Sequence, residues 1–287
     1  MGTSWSVRFV APADITEQAI EAEVLDRLDA INADMSHWRS DSCVSAYNRS
    51  TGGRRISLST DFVRVIETAI AIARDSHGSF DPTIGQVIAY HGFGPDPAER
   101  CTDATSVGAA LTAAGWRRLR LEEGALLQPG GLRLDLSGIA KGYAVDAIAD
   151  LLGHRGIGNA LVEIGGELVG RGVKPDGEPW WVDLEDPPGI ALPPFRIALH
   201  GLAVATSGDY RRGAHTIDPR SGEPVSNGVR QVSVIDQSAM RADAWATALT
   251  VLGAEEGPRI AVQHGLAARI VGASEWLSPA LRQMLGD

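Results

Sequence analysis

The segment DLSGIAKGYAVD, at Asp135–Asp146, constrains this chain most because it places a carboxylate, a small-residue turn and a lysine within one short stretch. Leucines alternate over residues 132–136, a spacing that predicts a buried strand. Ser137-Gly138 then permits a tight turn, and Ala140–Leu152 has the apolar spacing of a helix. The segment therefore predicts a strand that passes through a turn into the N-terminus of a helix.

A junction of this kind is suited to bind an anion. Free amide groups and the positive end of the helix dipole favour negative charge at a helix N-terminus, and Lys141 lies in the first turn. Lysine is rare in this chain, since Lys141 and Lys174 are the only two. A phosphate or diphosphate site is one interpretation. A solvated lysine beside a connecting turn is the other, and this segment alone does not separate the two.

Composition limits the classes of function. The chain has 287 residues, 44% of them hydrophobic, and a formal net charge of −10. A chain of this size can form a substantial core, as one large domain or two closely joined domains. The acidic balance argues against a nucleic-acid partner bound through a basic face. A phosphorylated ligand would need local help from lysine, arginine, backbone amides or a divalent cation.

Targeting and redox signals predict a cytoplasmic protein. No stretch reaches the apolar length of a membrane span, and the start, MGTSWSVRFVAPAD, lacks a basic region followed by an apolar run. Cys43 and Cys101 lack the spacing of a metal site, so we expect free thiols in a reducing compartment. A structural disulfide between them is the alternative.

The remaining periodicity predicts helices and blocks of short strands. Residues 35–50 are interpreted as a loop, and Gly165-Gly166 as the turn between two strands of an antiparallel meander. No long linker divides the chain, so we expect a single domain over residues 1–287. Apart from the segment above, the main predicted helices cover residues 16–35, 60–76 and 239–252, and the predicted strands cover residues 5–10, 160–164, 168–172, 180–184, 196–199, 202–205, 232–235 and 268–271.

A second group of residues suggests a metal site. Asp243 and Thr247 are four residues apart on a predicted helix, so a carboxylate and a hydroxyl face the same way. Oxygen ligands of this kind suit a hard cation such as Mg²⁺. The surrounding alanines make this a thin helix on which the charge of Asp243 is conspicuous. A solvated polar face is the alternative interpretation.

Short segments from Met1 to about Gly253 form an ordered set, which in chain order is MGTSWSV, MSHWRSDSCVSAYN, GSFDPTIG with HGFG, LDLSGIAKGYAVD, NALVEIGGEL, ATSGDYRR, HTIDPRSGEPV and ADAWATAL. Their number, order and spacing resemble the ApbE family, flavin transferases once described as thiamine-biosynthesis lipoproteins. The resemblance implies an α+β fold related to the T-fold, in which mixed or antiparallel sheets pack with helices in one compact, two-lobed unit.

The resemblance also implies a reaction. FAD:protein FMN transferases of this family are magnesium-dependent enzymes that cleave the FAD diphosphate and attach FMN to a threonine or serine hydroxyl of an acceptor protein. FAD would then be the substrate, Mg²⁺ the cofactor and the acceptor protein the partner. Two alternatives stay open. One is an FAD pyrophosphatase that gives FMN and AMP, and the other is a flavin-binding protein with a vestigial metal site.

The family's metal ligands match Asp243, Thr247 and a main-chain carbonyl, which is that of Gly138 or, alternatively, Ala140. Ala246 stands where some relatives supply another acidic residue, so we expect water in that place. An aromatic side chain in the 35–50 segment suits stacking against the flat isoalloxazine ring of a flavin. The resemblance implies flavin contacts at Met1, Trp38, Ser79, Phe80, Asp81, Asp135, Lys141 and Ile217.

His215, in the segment HTIDP, resembles the functional histidine of the family and is a candidate for receiving the proton of the acceptor hydroxyl. Lys141 would be a second positive group at the diphosphate. Alternatively, His215 forms hydrogen bonds only within its own loop. Many relatives are exported lipoproteins, whereas this chain starts almost at the first shared segment, so the sequence predicts a cytoplasmic acceptor.

Overall fold

A seven-stranded antiparallel sheet is the centre of the fold in a computed structural model that describes residues 2–101, 103–209, 213 and 215–286. The strands are β1 (Trp5–Phe9), β2 (Arg55–Ser57), β3 (Arg120–Glu122), β4 (Ala125–Leu127), β5 (Ala160–Ile164), β6 (Glu167–Arg171), β7 (Trp180–Leu184), β8 (Phe195–Leu199), β9 (Leu202–Ser207), β10 (Gln231–Asp236), β11 (Ala267–Val271) and β12 (Glu275–Leu277). The large sheet has the order β1-β5-β6-β9-β10-β11-β12. Two smaller sheets have the orders β2-β4-β3 and β7-β8.

The helices of the described ranges are α1 (Glu17–Met35), α2 (Cys43–Arg49), α3 (Thr60–Asp75), α4 (Gly85–Tyr90), α5 (Ala104–Ala113), α6 (Ala140–His154), α7 (Ala239–Gln263) and α8 (Pro279–Leu285). Helices α6 and α7 pack against each other, with α6 on β5 and β6 and α7 on β9 and β10. The largest core lies between these helices and the sheet, where Ile148, Val162 and Val234 are buried together. The β7-β8 hairpin covers the opposite face through Trp180 and Leu199.

The turn between β5 and β6 brings a carboxylate to one end of the sheet. Gly165 and Gly166 form this turn with φ angles of 66° and 102°, values that glycine adopts without steric cost. The register pairs Ile164 with Glu167, so Glu167 is the first residue of β6. The predicted strands at residues 160–164 and 168–172, and the turn between them, are therefore confirmed.

Helices α6 and α7 cap each other at their N-termini. The backbone N–H of Gly142, in the first turn of α6, donates to Oδ2 of Asp243 on α7 over 3.0 Å. In return, Asp146 on α6 accepts the N–H groups of Ala239 and Met240, at the start of α7, at 2.8 and 3.0 Å. Each helix thus satisfies free donors of the other, and the two N-termini are held together.

Residues 132–136 are buried as predicted but do not form a strand. The leucines are 1% exposed. Their backbone groups bond to side chains in place of a neighbouring strand: Asn48 accepts the Leu134 N–H at 2.7 Å and donates to its carbonyl at 2.9 Å. Gln128 bonds both backbone groups of Leu132 in the same way. Side-chain amides with both a donor and an acceptor can replace one rung of a sheet.

One further sequence prediction needs correction. The predicted loop over residues 35–50 contains α2, which Ser42 caps by accepting the N–H of Ser45. The helix predicted over residues 239–252 is confirmed: Gly253 breaks the helical path with φ 79° and ψ −173°, and a further helical stretch follows within α7. The strand predicted over residues 5–10 is confirmed as β1, which lies at one edge of the large sheet.

No helix in the described ranges is long and apolar enough to cross a membrane. Cys43 and Cys101 are both free, as predicted. The single-domain organisation of residues 1–287 stays a prediction.

Candidate functional site

A cavity of about 370 Å³ opens where the N-termini of α6 and α7 meet the turn between β5 and β6. Its other walls come from the end of α1, the segment after α3 and the connection between β9 and β10. Met1 lies outside the described residues. The cavity brings together every other residue that the resemblance assigned to a site, namely Trp38, Ser79, Phe80, Asp81, Asp135, Gly138, Ala140, Lys141, His215, Ile217, Asp243 and Thr247.

The turn that leads into α6 is fixed by Asp135. Its Oδ1 accepts the N–H of Ser137 at 2.8 Å and the Ser137 hydroxyl at 2.5 Å, which is the bonding of an Asx turn. Its Oδ2 lies 3.8 Å from Nδ1 of His37, at the end of α1. The predicted turn at Ser137-Gly138 is therefore present, and the carboxylate that shapes it also lines the cavity.

Asp243 is 5% exposed and accepts the Gly142 N–H. Burial raises the pKa of this carboxyl, while the nearby Lys141 ammonium and the Gly142 N–H lower it. If α6 began one turn earlier, the Gly142 N–H would donate to the carbonyl of Gly138. Because this N–H donates to Asp243 instead, the Gly138 carbonyl has no donor from the helix. The Ala140 carbonyl lies inside the helix. Gly138 is thus the better main-chain candidate for a cation ligand.

Thr247 lies one turn after Asp243 and contacts the turn before α6. A methyl group on Gly138 would lie 2.9 Å from the Thr247 Oγ1 and 3.5 Å from the ring of Phe80. Such a distance to the hydroxyl is shorter than real carbon contacts, so this position accepts glycine only. The Gly138 main chain and the hydroxyl of Thr247 are therefore neighbours, as one cation site would require.

Sequence reasoning missed Glu167. Its side chain is 3% exposed, its Oε1 forms an ion pair with Nζ of Lys141, and it lines the same cavity. Burial and the adjacent charge of Asp243 raise the pKa of Glu167 to about 7, against the lowering effect of Lys141. One feature of the sequence NALVEIGGEL could have indicated Glu167: an acidic residue directly follows the glycine turn of a hairpin.

The residues present fit a magnesium ion. Among the described side chains beside Thr247, the carboxylates of Asp243 and Glu167 face one ammonium, that of Lys141, so the group is short of positive charge. The Oε2 of Glu167 is buried with no hydrogen-bond partner in the described part of the chain. Those residues contain no group of three or more His, Cys, Asp and Glu that could hold a metal. Carboxylate, hydroxyl and carbonyl oxygens suit Mg²⁺ more than Zn²⁺.

One aromatic side chain stands at the rim of the cavity. Trp38 is 62% exposed, an unusual position for a tryptophan, and its ring centroid lies 5.5 Å from that of His37. A large exposed apolar ring beside a cavity is a common feature of binding surfaces. The exposed ring of Trp38 can therefore stack against a flat ligand without any change in the packing of the protein core.

The other side chains predicted to contact flavin are fixed by hydrogen bonds or apolar packing within the protein. Asp81 accepts the Thr83 N–H and hydroxyl at 2.8 and 2.6 Å and the Trp116 N–H at 3.0 Å, and burial raises its pKa. The hydroxyl of Ser79 donates to a backbone carbonyl at 3.0 Å. Ile217 is 4% exposed in a small apolar cluster. These residues shape the wall of the cavity, and direct contact with flavin stays a prediction.

His215 reaches the cavity from the connection between β9 and β10. Its Nδ1 lies 2.9 Å from the carbonyl of Gly213 and 3.4 Å from Oδ1 of Asp209, which also accepts the Thr216 hydroxyl at 3.1 Å. A carbonyl only accepts, so Nδ1 carries the proton in the neutral ring and Nε2 has the lone pair. Asp209 was not singled out by sequence reasoning, although it precedes the histidine by six positions.

The fold and the cavity together define an α+β protein with one polar cavity, lined by Lys141, Glu167 and Asp243, beside the N-termini of α6 and α7. The sequence model of the ApbE family matches residues 1–270. A protein of Klebsiella pneumoniae (strain 342) named FAD:protein FMN transferase is 33% identical over 305 residues, which cover 99% of this chain and 87% of the relative. A Vibrio cholerae protein of the same name is 34% identical over 303 residues, covering 99% and 90%. The chain belongs to the ApbE family.

Solved structures agree with this assignment. The apo crystal structure of the flavinyl transferase ApbE from Pseudomonas stutzeri matches with a TM-score of 0.93 at 34% identity, covering 100% of this chain and 95% of that one. The flavin transferase ApbE from Vibrio cholerae matches with a TM-score of 0.92 at 32% identity, covering 99% and 96%. The predicted family and the predicted α+β fold are therefore confirmed.

Proposed function

We propose that this protein transfers FMN from FAD to a threonine or serine hydroxyl of an acceptor protein and releases AMP, with Mg²⁺ as its cofactor. One observation carries the proposal. Lys141, Asp243 and Thr247 converge on a single cavity, in a chain whose relatives are named FAD:protein FMN transferases. Phosphoryl transfer depends on positioning and on positive groups that offset charge at the phosphorus and on the leaving group. Lys141 would be one such group, and a cation bound beside Asp243 and Thr247 would be the other.

The cavity supplies groups for two parts of the proposed substrate. The Lys141 ammonium would offset charge on the diphosphate of FAD at the inner end, because the N–H groups of Ala140 and Gly142 in the first turn of α6 already donate to Leu136 and Asp243. Trp38 offers its exposed ring to the isoalloxazine at the rim. Phe80, which is buried against Gly138, gives the flavin end an apolar wall next to the diphosphate position.

Asp243, Thr247 and the carbonyl of Gly138 would hold the cation. When bound there, Mg²⁺ would offset negative charge on the diphosphate oxygens and on departing AMP. The mutual capping of α6 and α7 keeps these ligands on two rigid helices, so the site needs little rearrangement to bind a cation.

The proposed reaction exchanges one bond to phosphorus for another. The acceptor hydroxyl oxygen forms a bond to the phosphorus that carries riboflavin, and the bond from this phosphorus to the bridging oxygen breaks, so AMP leaves with the bond's electron pair. The hydroxyl proton passes to Nε2 of His215, whose Nδ1–H is held by the Gly213 carbonyl. Asp209, whose Oδ1 lies 3.4 Å from Nδ1 on the same side of the ring, would help to hold the imidazole in this orientation.

Water is the competing nucleophile. The side chain of His215 is 32% exposed, so solvent reaches the proposed base when no acceptor covers it. Attack by water would give FMN and AMP, the FAD pyrophosphatase reaction. The cytoplasmic location of the protein and its acceptor also stays a proposal, which fractionation of cells expressing the tagged chain would test.

The direct test is to incubate the purified protein with FAD, Mg²⁺ and a set of candidate acceptor proteins. We expect an acceptor to gain the mass of FMN less one water by intact-mass spectrometry, with one AMP released per modified chain. Release of AMP without a mass gain on any acceptor would favour the pyrophosphatase. Absence of both products would contradict the proposal.

The metal requirement is tested with Asp243→Asn, which keeps an oxygen to accept the Gly142 N–H. We expect AMP release to fall by at least about 100-fold, since charge stabilisation at a transferred phosphoryl group is lost, while FAD still binds. Asp183→Asn is the matched control because Asp183 forms an exposed ion pair with Arg196, and it should leave AMP release unchanged. Full activity of Asp243→Asn would exclude this metal site.

A further inference from the structure

Glu167 has one carboxylate oxygen that the described part of the chain leaves without a hydrogen-bond donor. Oε1 pairs with Lys141, whereas Oε2 is buried with no hydrogen-bond partner in the described ranges. The residue as a whole is 2% exposed and lines the cavity that holds Asp243 and Thr247. A buried carboxylate oxygen without a hydrogen-bond donor has lost its hydration with nothing in return, so such an atom in a cavity indicates a missing partner.

The charges around Glu167 decide what this partner is. Asp243, across the cavity on α7, is close enough to Glu167 for its negative charge to raise the pKa of Glu167. The ammonium of Lys141 acts in the opposite direction on both carboxyls. With both carboxyls ionised, the two carboxylates and one ammonium of these described residues leave the group one positive charge short. A hydrogen-bond donor such as water would satisfy Oε2 but would leave this imbalance, whereas a divalent cation would correct both.

The fold also gives Glu167 a fixed position. It begins β6 directly after the two-glycine turn, and β6 is an inner strand of the large sheet, between β5 and β9. Lys141 holds Oε1 from the first turn of α6. The backbone is thus anchored by the sheet and one oxygen by the lysine, so the other oxygen is presented in a defined place.

We propose that Oε2 of Glu167 is a ligand of the divalent cation, supplied by the sheet and facing the ligands that Asp243 and Thr247 supply from α7. This inference rests on the proposed function, because it assigns a further residue to the same cation site. Lys141 then has two roles, as a positive group at the diphosphate and as the residue that orients Glu167.

Binding of Mn²⁺ in the absence of FAD tests the inference without reference to activity. The free Mn²⁺ signal in electron paramagnetic resonance gives the dissociation constant for the wild-type protein and for Glu167→Gln. We expect Glu167→Gln to bind Mn²⁺ about 10- to 100-fold more weakly, the usual loss when one group of a metal site is removed. Glu167→Asp, which keeps the charge, should recover part of the loss. Glu122→Gln is the matched control, since Glu122 is exposed and pairs with Arg55.

A double variant separates coordination from simple charge neutralisation. If Glu167 served only to neutralise Lys141, its loss would leave an ammonium that repels the cation, and removing Lys141 as well would restore affinity. We expect instead that Lys141→Met/Glu167→Gln binds Mn²⁺ at least about 10-fold more weakly than Lys141→Met. Far-ultraviolet circular dichroism and a thermal melt establish that each variant is folded.

The outcomes distinguish this inference from the proposed function. Equal Mn²⁺ affinity of wild-type protein and folded Glu167→Gln, or of the two Lys141→Met proteins, would overturn the role of Glu167 and leave the proposed reaction intact. Absence of saturable Mn²⁺ binding by the wild-type protein would overturn both the role of Glu167 and the metal site of the proposed function.

Discussion

Gly142 on α6 touches the backbone of Ala239 on α7 at the crossing of the two helices that carry the candidate cation site. A Cβ atom at Gly142 would lie 2.2 Å from the Ala239 carbonyl oxygen and 2.7 Å from the Cα of Met240. Only glycine allows this approach. The approach in turn lets the Gly142 N–H reach Asp243, so the spacing of the helices sets the position of the proposed metal ligand.

Replacing Gly142 by alanine should therefore damage both stability and the site. The clash is with backbone atoms, which cannot rotate away, so we expect a loss of about 1–3 kcal/mol or more in the free energy of unfolding. Urea denaturation followed by circular dichroism gives this value. Gly108→Ala is the control because Gly108 is exposed on α5 with open space around its Cα, and it should stabilise the protein by about 0.5–1 kcal/mol. A Gly142→Ala protein as stable as wild type would contradict the close approach.

Stability of the metal-free protein should depend on the protonation of Glu167. Burial and Asp243 raise the pKa of Glu167 to about 7 from its ordinary value of 4.5. The folded state then binds more protons than the unfolded state between these values, so this contribution is complete below about pH 4.5 and is lost as the pH rises through about 7. Urea unfolding in EDTA from pH 5 to pH 8 should show wild type losing stability relative to Glu167→Gln.

Addition of Mg²⁺ should reduce this difference at pH 8, because a bound cation takes the place of the proton on the carboxylate. A stability difference between wild type and Glu167→Gln that does not change from pH 5 to pH 8 would contradict a folded-state pKa of about 7 for Glu167.

His215→Ala should slow FMN transfer by about 100- to 10,000-fold while FAD affinity stays within a few-fold of wild type, the pattern expected for a general base. Single-turnover kinetics and FAD titration measure the two effects separately. His200→Ala is a suitable control because the Nδ1 of His200 makes the same type of bond, 3.0 Å from the Gly172 carbonyl, and His200 does not line the cavity. Equal losses in rate and affinity would make His215 a binding residue.

Trp38→Ala should weaken FAD binding by roughly 2- to 10-fold, the value of one aromatic stacking contact, with little effect on the thermal midpoint. The small effect on stability follows from the exposure of the ring, which is 62%. Trp181→Ala, which removes another half-exposed tryptophan away from the cavity, should leave the affinity for FAD unchanged. Quenching of flavin fluorescence provides the titration, and an unaltered dissociation constant for Trp38→Ala would place the flavin elsewhere.

The sequence predicts the structure correctly where the spacing of neighbouring residues determines it. Asp243 and Thr247 face the same cavity because residues four apart on a helix share a side, and Lys141 lies in a first helical turn because the small-residue turn precedes it. The glycine pair at residues 165–166 similarly predicted a hairpin, since few other residues accept positive φ at both positions.

The sequence patterns did not predict those parts of the structure that depend on contacts between residues far apart in the chain. Residues 132–136 have the pattern of a strand, but the amide of Asn48, 86 positions from Leu134, takes the bonds that a neighbouring strand would make. The ion pair of Glu167 with Lys141 spans 26 positions and forms only when β6 packs against α6. Neither contact leaves a mark in local periodicity, so neither could be predicted from spacing.

The cap that Asp243 provides has a consequence for synthesis of the chain. Ile139, at the N-cap of α6, has no side chain that accepts a hydrogen bond, and the carboxylate that does so comes 101 positions after Gly142. On the ribosome the N-terminal part of the chain emerges first, so α6 lacks the cap from Asp243 until most of the chain has been translated. A nascent chain interrupted before α7 carries Lys141 and Glu167 but neither of the proposed cation ligands on that helix. Completion of translation therefore sets the moment at which the cavity gains its second wall.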